Sequence, residues 1–364
     1  MMLHLYFARR FTFKLTAMFG LFVCFIGLID LIEQMRRLGG KAGFAEVLLL
    51  SMMSLPKGLY VMTPLIVILA AISLFVSLAR SSELVVTRAS GRSPIYSLIA
   101  PVLVAGLVGC VIVAVGNPIV AATSKRYQEL SEEFHSNGAS TISISNEGLW
   151  LRQGGDSGQT VIWASRANGD ATVLYDVNFI TYTAEQGPIR RILTQRAELQ
   201  PGEWILSNAK VWQLALGQNP EETSSHHKTM GIPSSLTQES IRDSFGKPHT
   251  VSVWQLPSFI NQLRAAGFSS RRHIVWFHME LARPLFLIAM VLIGAAFTMR
   301  HSRFGHTGLY VLAAVLLGFG LYYVRNLAQI LAENGQLDPI LAAWAPPFAS
   351  IFLALGLLLH MEDG

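Results

Sequence analysis

The groups in this sequence able to do chemistry are mostly charges set inside or beside long apolar runs. Arg325 follows the apolar run 307–324 and lies about six residues, or roughly 9 Å of helix, inside the end of the helix that run predicts. A guanidinium at such depth costs about 2.5–3.5 kcal/mol on insertion scales and marks a transport pathway, an ion pair or a snorkelling side chain. Asp30, Glu33, Arg36 and Arg37 follow one another where the first apolar run ends. Glu280 and Arg283 are three apart, so a helix places them on one face, and they read as an ion pair. His226-His227 sits in the polar stretch 219–235, which reads as a solvated loop, while His273 and His278 flank the fourth run and read as interfacial packing.

No enzymatic constellation accompanies these charges. The chain lacks G-x-x-x-x-G-K-[ST], and Gly39-Gly40-Lys41 is not a P-loop, so it binds no ATP by that route. It also lacks H-E-x-x-H, C-x-x-C and G-x-S-x-G. The expectation is a protein with no catalytic residues, no metal and no cofactor. Its positive net charge forms no concentrated stripe, so no nucleic-acid partner is expected either.

One loop stands out. In 81–91, Ser82 can cap a short helix, Glu83 suits the positive end of its dipole, and Gly91 can close it. Leu84, Val85 and Arg88 would then lie close together on its surface. Such a helix is either a docking element or a solvated connector, and its residues fit both.

The elements that position these groups are membrane spans. Only 14% of the 364 residues are charged, and mean hydropathy is +0.42. A span needs about 20 apolar residues to cross roughly 30 Å of hydrocarbon. Runs 59–79, 94–115 and 339–359 carry no charge, 307–324 is nearly as long, and 15–29 and 285–299 reach the length with flanking residues. Six transmembrane helices are predicted. Arg9, Arg10 and Lys14 before the first run resemble a signal peptide, but no small-x-small cleavage site follows, so that run reads as an uncleaved span. Arg9, Arg10, Lys14, Arg80, Arg88, Arg92, Arg300 and Arg303 fall on one side, against Arg36, Arg37, Lys41 and Lys57 on the other. This bias puts both termini in the cytoplasm and the middle of the chain outside it.

That middle has ordinary soluble composition and reads as antiparallel strands. Val173, Tyr175, Val177 and Phe179 alternate with more polar neighbours, as do Ile142 and Ile144. Further strand-like pieces fall at 160–164, 189–199 and 204–216, and Gln200-Pro201-Gly202 is one of several turns between them. Residues 256–268 read as a helix with Phe259, Leu263 and Ala266 on one face. Cys24 and Cys110 both lie in spans, so a β core must hold the middle region without disulfides. The expected architecture is an α-helical membrane protein with an inserted periplasmic all-β, jellyroll-like domain. Spans one to three occupy 1–120 with the short helix near 82–91, the β-rich domain 121–272, and spans four to six 273–364.

On these residues the sequence resembles the LptF/LptG permeases of the lipopolysaccharide exporter. The likeness rests on Ser82-Glu83-Leu84-Val85-Val86 with Arg88-Ala89-Ser90-Gly91, Ser54-Leu55-Pro56-Lys57 with Pro64-Leu65, Gly148-Leu149-Trp150 and Arg283-Pro284-Leu285. The Leu-Pro-Lys and Gly-Leu-Trp stretches are nearest the LptG branch. The resemblance spans essentially the whole chain and lies in the order and spacing of these motifs. It implies a non-ATPase inner-membrane permease half that pairs with an LptF-type half on a cytoplasmic ABC ATPase dimer. Such a half draws lipopolysaccharide from the inner membrane and passes it to a membrane-anchored periplasmic jellyroll protein and a bridge protein. It further implies that Glu83 faces a groove of the ATPase, with Leu84, Arg88 and Gly91 shaping the contact. Lipopolysaccharide carries phosphates and carboxylates, which guanidinium groups bind through paired donors. Arg36, Arg37 and Arg325 are therefore candidate headgroup contacts, with snorkelling or pairing to Asp30 or Glu33 as the alternative. Asp30 stands where some members carry a cation, so recognition is arranged differently here. From the residues alone, the paralogous half or a membrane-anchored sensor with a ligand-binding β domain remains open.

Overall fold

The structure is a computed structural model. It describes residues 2–38, 43–83, 87, 94–134, 142–145, 148–155, 158–168, 172–183, 187–214, 219–234, 236–237, 247–265, 268–299 and 307–363. Leu84, Arg88 and Gly91 of the expected short helix lie outside the described residues, as do Lys41, Ala266, Arg300, Arg303 and parts of two expected turns. The chain divides into a helical unit (1–134, 252–254 and 271–364) and a β unit (135–251 and 255–270).

The helical unit comprises α1 (Met2–Leu38), α2 (Phe44–Arg80), α3 (Pro94–Val111), α4 (Asn117–Phe134), α6 (Arg271–Leu281), α7 (Arg283–Thr298), α8 (Thr307–Glu333) and α9 (Pro339–Asp363). Among the described residues, five helices, counting α3 and α4 as one, are long and apolar enough to cross a membrane, and a sixth span results if α6 and α7 count as one. That pair bends by 48° because Pro284 has no N–H to continue the ladder into the preceding turn. The expected six spans are thus present, the fourth of them broken. A π-helical turn, Ile112–Gly116, joins α3 to α4. Such turns free a backbone acceptor, and here the Trp254 indole N–H donates to the Ala114 carbonyl at 3.0 Å. Asn117 next to the turn accepts from the Val253 N–H at 2.7 Å. Residues 252–254 are thereby pinned to the third span.

Apolar packing in this unit centres on α2 and α7, with Ile66, Phe75, Phe286 and Val291 all buried. Small residues permit the close approach: a Cβ on Gly109 would stand 2.7 Å from the Pro284 Cα. The outward faces of α1 and α8 expose Leu21, Phe25, Leu312 and Leu316, as lipid-facing helices must.

The β unit is one seven-stranded antiparallel sheet: β1 (Ile142–Ser145), β2 (Gly148–Gly155), β3 (Gly158–Ala167), β4 (Val173–Thr183), β5 (Gly187–Gln200), β6 (Glu203–Gln213) and β7 (Ser225–Pro233). Each strand pairs with its neighbour in sequence, in an up-and-down order. The polar stretch read as a loop contains β7. That strand pairs with β6 yet buries only Ile232, and as a sheet edge it tolerates polar residues on both faces.

The inward-facing residues reveal a crease. Burial runs through Ile162 and Ala164 and then skips to Ala167; likewise Leu174 to Val177, Thr194 to Ala197, and Leu206 to Ala209. Register carries straight across, with Ala164 opposite Val177 and Arg166 opposite Tyr175, and Val177 opposite Thr194 and Tyr175 opposite Arg196. All four strands therefore turn over at one transverse row, Ser165–Asp176–Gln195–Asn208. Asp176 and Asn208 take φ values of 52° and 56° to do so. Ser165 bonds Asp176, and Asn208 bonds Gln195, along the row. The crease lets both halves of the sheet face one core around Trp204, Phe179, Leu149 and Leu151. Leu263 and Phe268 join that core, Leu263 from α5 (Leu256–Ala265). It also corrects the expected alternation in β4: Tyr175 is exposed and Leu174 takes the inward place.

Asparagine tolerates a left-handed backbone and glycine favours it, whereas a β-branched residue does not. Asn208→Gly is expected to leave the stability of the β unit within about 0.5 kcal/mol, and Asn208→Val to lower it by about 1–3 kcal/mol. Thermal unfolding followed by the near-ultraviolet signal of the tryptophans tests the pair. Equal stability for both would mean that Asn208 does not set the crease.

Candidate functional site

Four polar side chains meet inside the helical unit. Glu280 lies in the last turn of α6, directly before the break, and Arg283 opens α7, so the bend holds them face to face. Arg283 Nη2 lies 2.7 Å from Glu280 Oε1, and Nε lies 3.0 Å from Oε2. The Tyr60 hydroxyl donates to the same Oε2. Arg283 Nη1 donates to the Tyr60 carbonyl at 3.1 Å, and its guanidinium stacks 3.9 Å above the Tyr60 ring. That carbonyl is available because Pro64, four residues on, has no N–H to offer it. Glu280 is fully buried and Arg283 is 5% exposed.

Arg325 of α8 is 6% exposed in the same region. It donates from Nη2 to the Met279 carbonyl at 3.3 Å and stacks 5.4 Å from the Phe286 ring centre, while its Nε has no hydrogen-bond partner. Two buried guanidinium groups therefore stand against one buried carboxylate, which Arg283 holds, leaving an excess positive charge. Beside the cluster, a pocket of about 110 Å³ opens among Pro64, Leu65, Ile68, Met290, Gly318 and Tyr322. Gly318 keeps it open, since a Cβ there would meet the Ile68 side chain.

The other candidate residues lie elsewhere. Arg36 and Arg37, both exposed near the end of α1, share Glu33 at 3.1 and 3.7 Å. Asp30 instead accepts from the Ser54 hydroxyl at 2.5 Å. Arg36 and Arg37 thus form one patch with Glu33, separate in contacts from Arg325. The expected Glu280–Arg283 pair is present. His226 and His227 are exposed on β7, and among the described residues no three His, Cys, Asp or Glu side chains gather as metal ligands.

Glu83 is the third feature. Its carboxylate accepts from Ser81 Oγ, Tyr6 Oη and Arg10 Nη1, each at 2.8 Å. Partial burial pushes the Glu83 carboxyl up, but the hydrogen bonds from Ser81 and Tyr6 and the Arg10 charge outweigh it and hold the group below the usual carboxylate range. It therefore stays ionised well below neutral pH. Sequence reading missed Tyr6, Arg10 and Tyr60 as partners. For Tyr60 a signal was present, since a proline inside a span always leaves the carbonyl four residues earlier in need of a donor.

Removing one member of a buried pair strands the other. Glu280→Gln is expected to cost about 3–5 kcal/mol by leaving two buried guanidinium groups unneutralised. Glu280→Gln combined with Arg283→Met should cost less than Glu280→Gln alone. Thermal inactivation of the detergent-solubilised variants checks the order, and an additive double variant would show that the two residues are not coupled.

Comparison with known proteins agrees with this architecture. Lipopolysaccharide export system permease protein LptG of Escherichia coli K12 is 22% identical over 354 residues, covering 95% of each chain. The protein of the same name from Haemophilus influenzae is 24% identical over 358 residues, covering 96% of each. Residues 5–360 match the family described as the lipopolysaccharide export system permease LptF/LptG, and the chain belongs to that family.

Proposed function

We propose that this chain is the LptG-type half of a lipopolysaccharide ABC exporter in the inner membrane of a Gram-negative bacterium. It extracts the glycolipid from that membrane and hands it to a periplasmic bridge. The relatives described above carry the LptG name, and the motifs nearest that branch agree with it. In this reading both termini are cytoplasmic and the β unit is periplasmic. An LptF-type half completes the permease, a cytoplasmic ABC ATPase dimer supplies the energy, and a membrane-anchored jellyroll protein receives the cargo. Glu83, with Leu84, Arg88 and Gly91, forms the contact to the ATPase.

The observation that carries the substrate reading is the excess buried cation. A membrane protein keeps an incompletely paired guanidinium such as Arg325 only where it has a use, because insertion and desolvation oppose it. An apolar pocket for acyl chains beside an unsatisfied Arg325 suits an amphiphile with an anionic headgroup. Arg36 and Arg37 outnumber Glu33 and offer a second, exposed positive patch for phosphates.

Tagging the chain and purifying it in detergent is expected to bring down an ABC ATPase and a second six-span protein. Glu83→Ala should weaken that assembly or its turnover. If the chain purifies without an ATPase, the exporter reading fails and a sensor role takes its place. Arg325→Met is expected to preserve or raise thermal stability while lowering lipopolysaccharide-stimulated ATP hydrolysis by roughly tenfold, the worth of one charge-assisted contact. Stimulation unchanged in Arg325→Met would remove Arg325 from the substrate path.

A further inference from the structure

Three donors, two of them more than seventy residues away in sequence, converge on the Glu83 carboxylate. Tyr6 and Arg10 are four apart, so they share a face of α1, and the Arg10 guanidinium lies 4.9 Å above the Tyr6 ring. The two side chains thus brace each other before they reach Glu83. On the other side, Ser81 donates its hydroxyl to Glu83 and its backbone N–H to the Ser77 carbonyl at the end of α2. Between them Ser82 is held at φ 57°, a left-handed backbone that a serine adopts only when its surroundings demand it.

We propose that Tyr6 and Arg10 are positioning residues that clasp Glu83 to the first span, and that the clasp opens when the loop after the second span engages the ATPase. The inference rests on the permease reading, which supplies the ATPase as partner. With side-chain exposures of 38% and 29%, the Arg10–Glu83 pair contributes little to folding stability. Its effect is to place a carboxylate. Oε1 accepts from Arg10 and Ser81 and Oε2 from Tyr6, so the carboxylate is held against α1 with one acceptor site left, and turning it toward a cation on a docking surface draws it away from Tyr6 and Arg10. Engagement and clasping therefore compete for one group. Because competition is reciprocal, whatever moves the N-terminal turns of α1 also changes how tightly the loop docks. The clasp is thus a direct link between the first span and the site of energy input, and its two states differ in their contacts as such a link requires.

The test uses the complete permease heterodimer in nanodiscs, titrated with purified ATPase dimer. Tyr6→Phe/Arg10→Gln is expected to bind the ATPase about five- to tenfold more tightly and to lose the substrate stimulation of ATP hydrolysis. Arg10→Lys should retain part of the wild-type behaviour. In a Glu83→Gln background the Tyr6→Phe/Arg10→Gln change should have no further effect. Unchanged or weaker ATPase binding in Tyr6→Phe/Arg10→Gln, with thermal stability intact, would overturn the competition. So would an equal effect with and without Glu83. A wild-type heterodimer that binds no ATPase overturns the permease reading and this inference with it.

Discussion

The contact between α2 and the α6–α7 bend depends on one guanidinium. Arg283 neutralises Glu280, covers the Tyr60 ring and supplies the hydrogen bond that Pro64 withholds from the Tyr60 carbonyl. The backbone defect that Pro64 leaves in α2 is thereby closed by a side chain at the start of α7. In hydrocarbon each unsatisfied backbone group is costly, so the kinks and the ion pair have to be solved together. The solution is local in space but spans two helices more than two hundred residues apart in the chain. It fixes α2 against α7, the contact around which the buried residues of the helical unit gather.

Arg325 shows what this arrangement leaves over. Glu280 is committed to Arg283 through two hydrogen bonds, so the second guanidinium is left with a backbone carbonyl and an aromatic face. A chain selected only for stability would carry a neutral residue at that position. The excess charge, the neighbouring pocket and the family membership support the proposed handling of an anionic lipid, and Glu83 ties the end of α2 to α1 through Tyr6 and Arg10. On the proposed reading, the polar groups described here fall into three sets: those that close backbone defects, those left for substrate, and those that link helices to the energy source.

Much of this was legible in the residues. Runs free of charge marked the spans, because the hydrocarbon thickness dictates their length, and the three-residue spacing of Glu280 and Arg283 marked their pairing. Strand-like alternation marked the β unit. What alternation could not show was the crease, since a two-residue period carries no information about a row where every strand slips by one. Nor could it find β7, whose Ser225, His226, His227 and Lys228 are exposed on both faces. Tyr6 and Arg10 were invisible as partners of Glu83 because the contact depends on how α1 packs against the end of α2, which no local pattern encodes. The charges at the end of α1 were legible as a group, but their division into a pair on Glu33 and an Asp30–Ser54 bond was not.

The crease also constrains how this sheet can change over time. Each of β3 to β6 reverses its facing at the same row, so the four strands are synchronised. An insertion or deletion of one residue in any one of them would turn half of that strand's core residues toward solvent while its neighbours kept their old phase. Length variation in the β unit is therefore confined to the hairpin turns, the edge strands and strand ends such as the register shift between Thr181 and Tyr182, whereas the interior strands can alter through the crease only by substitution. Homologous sheets should accordingly align without gaps through this row even where sequence identity has fallen too low to suggest it.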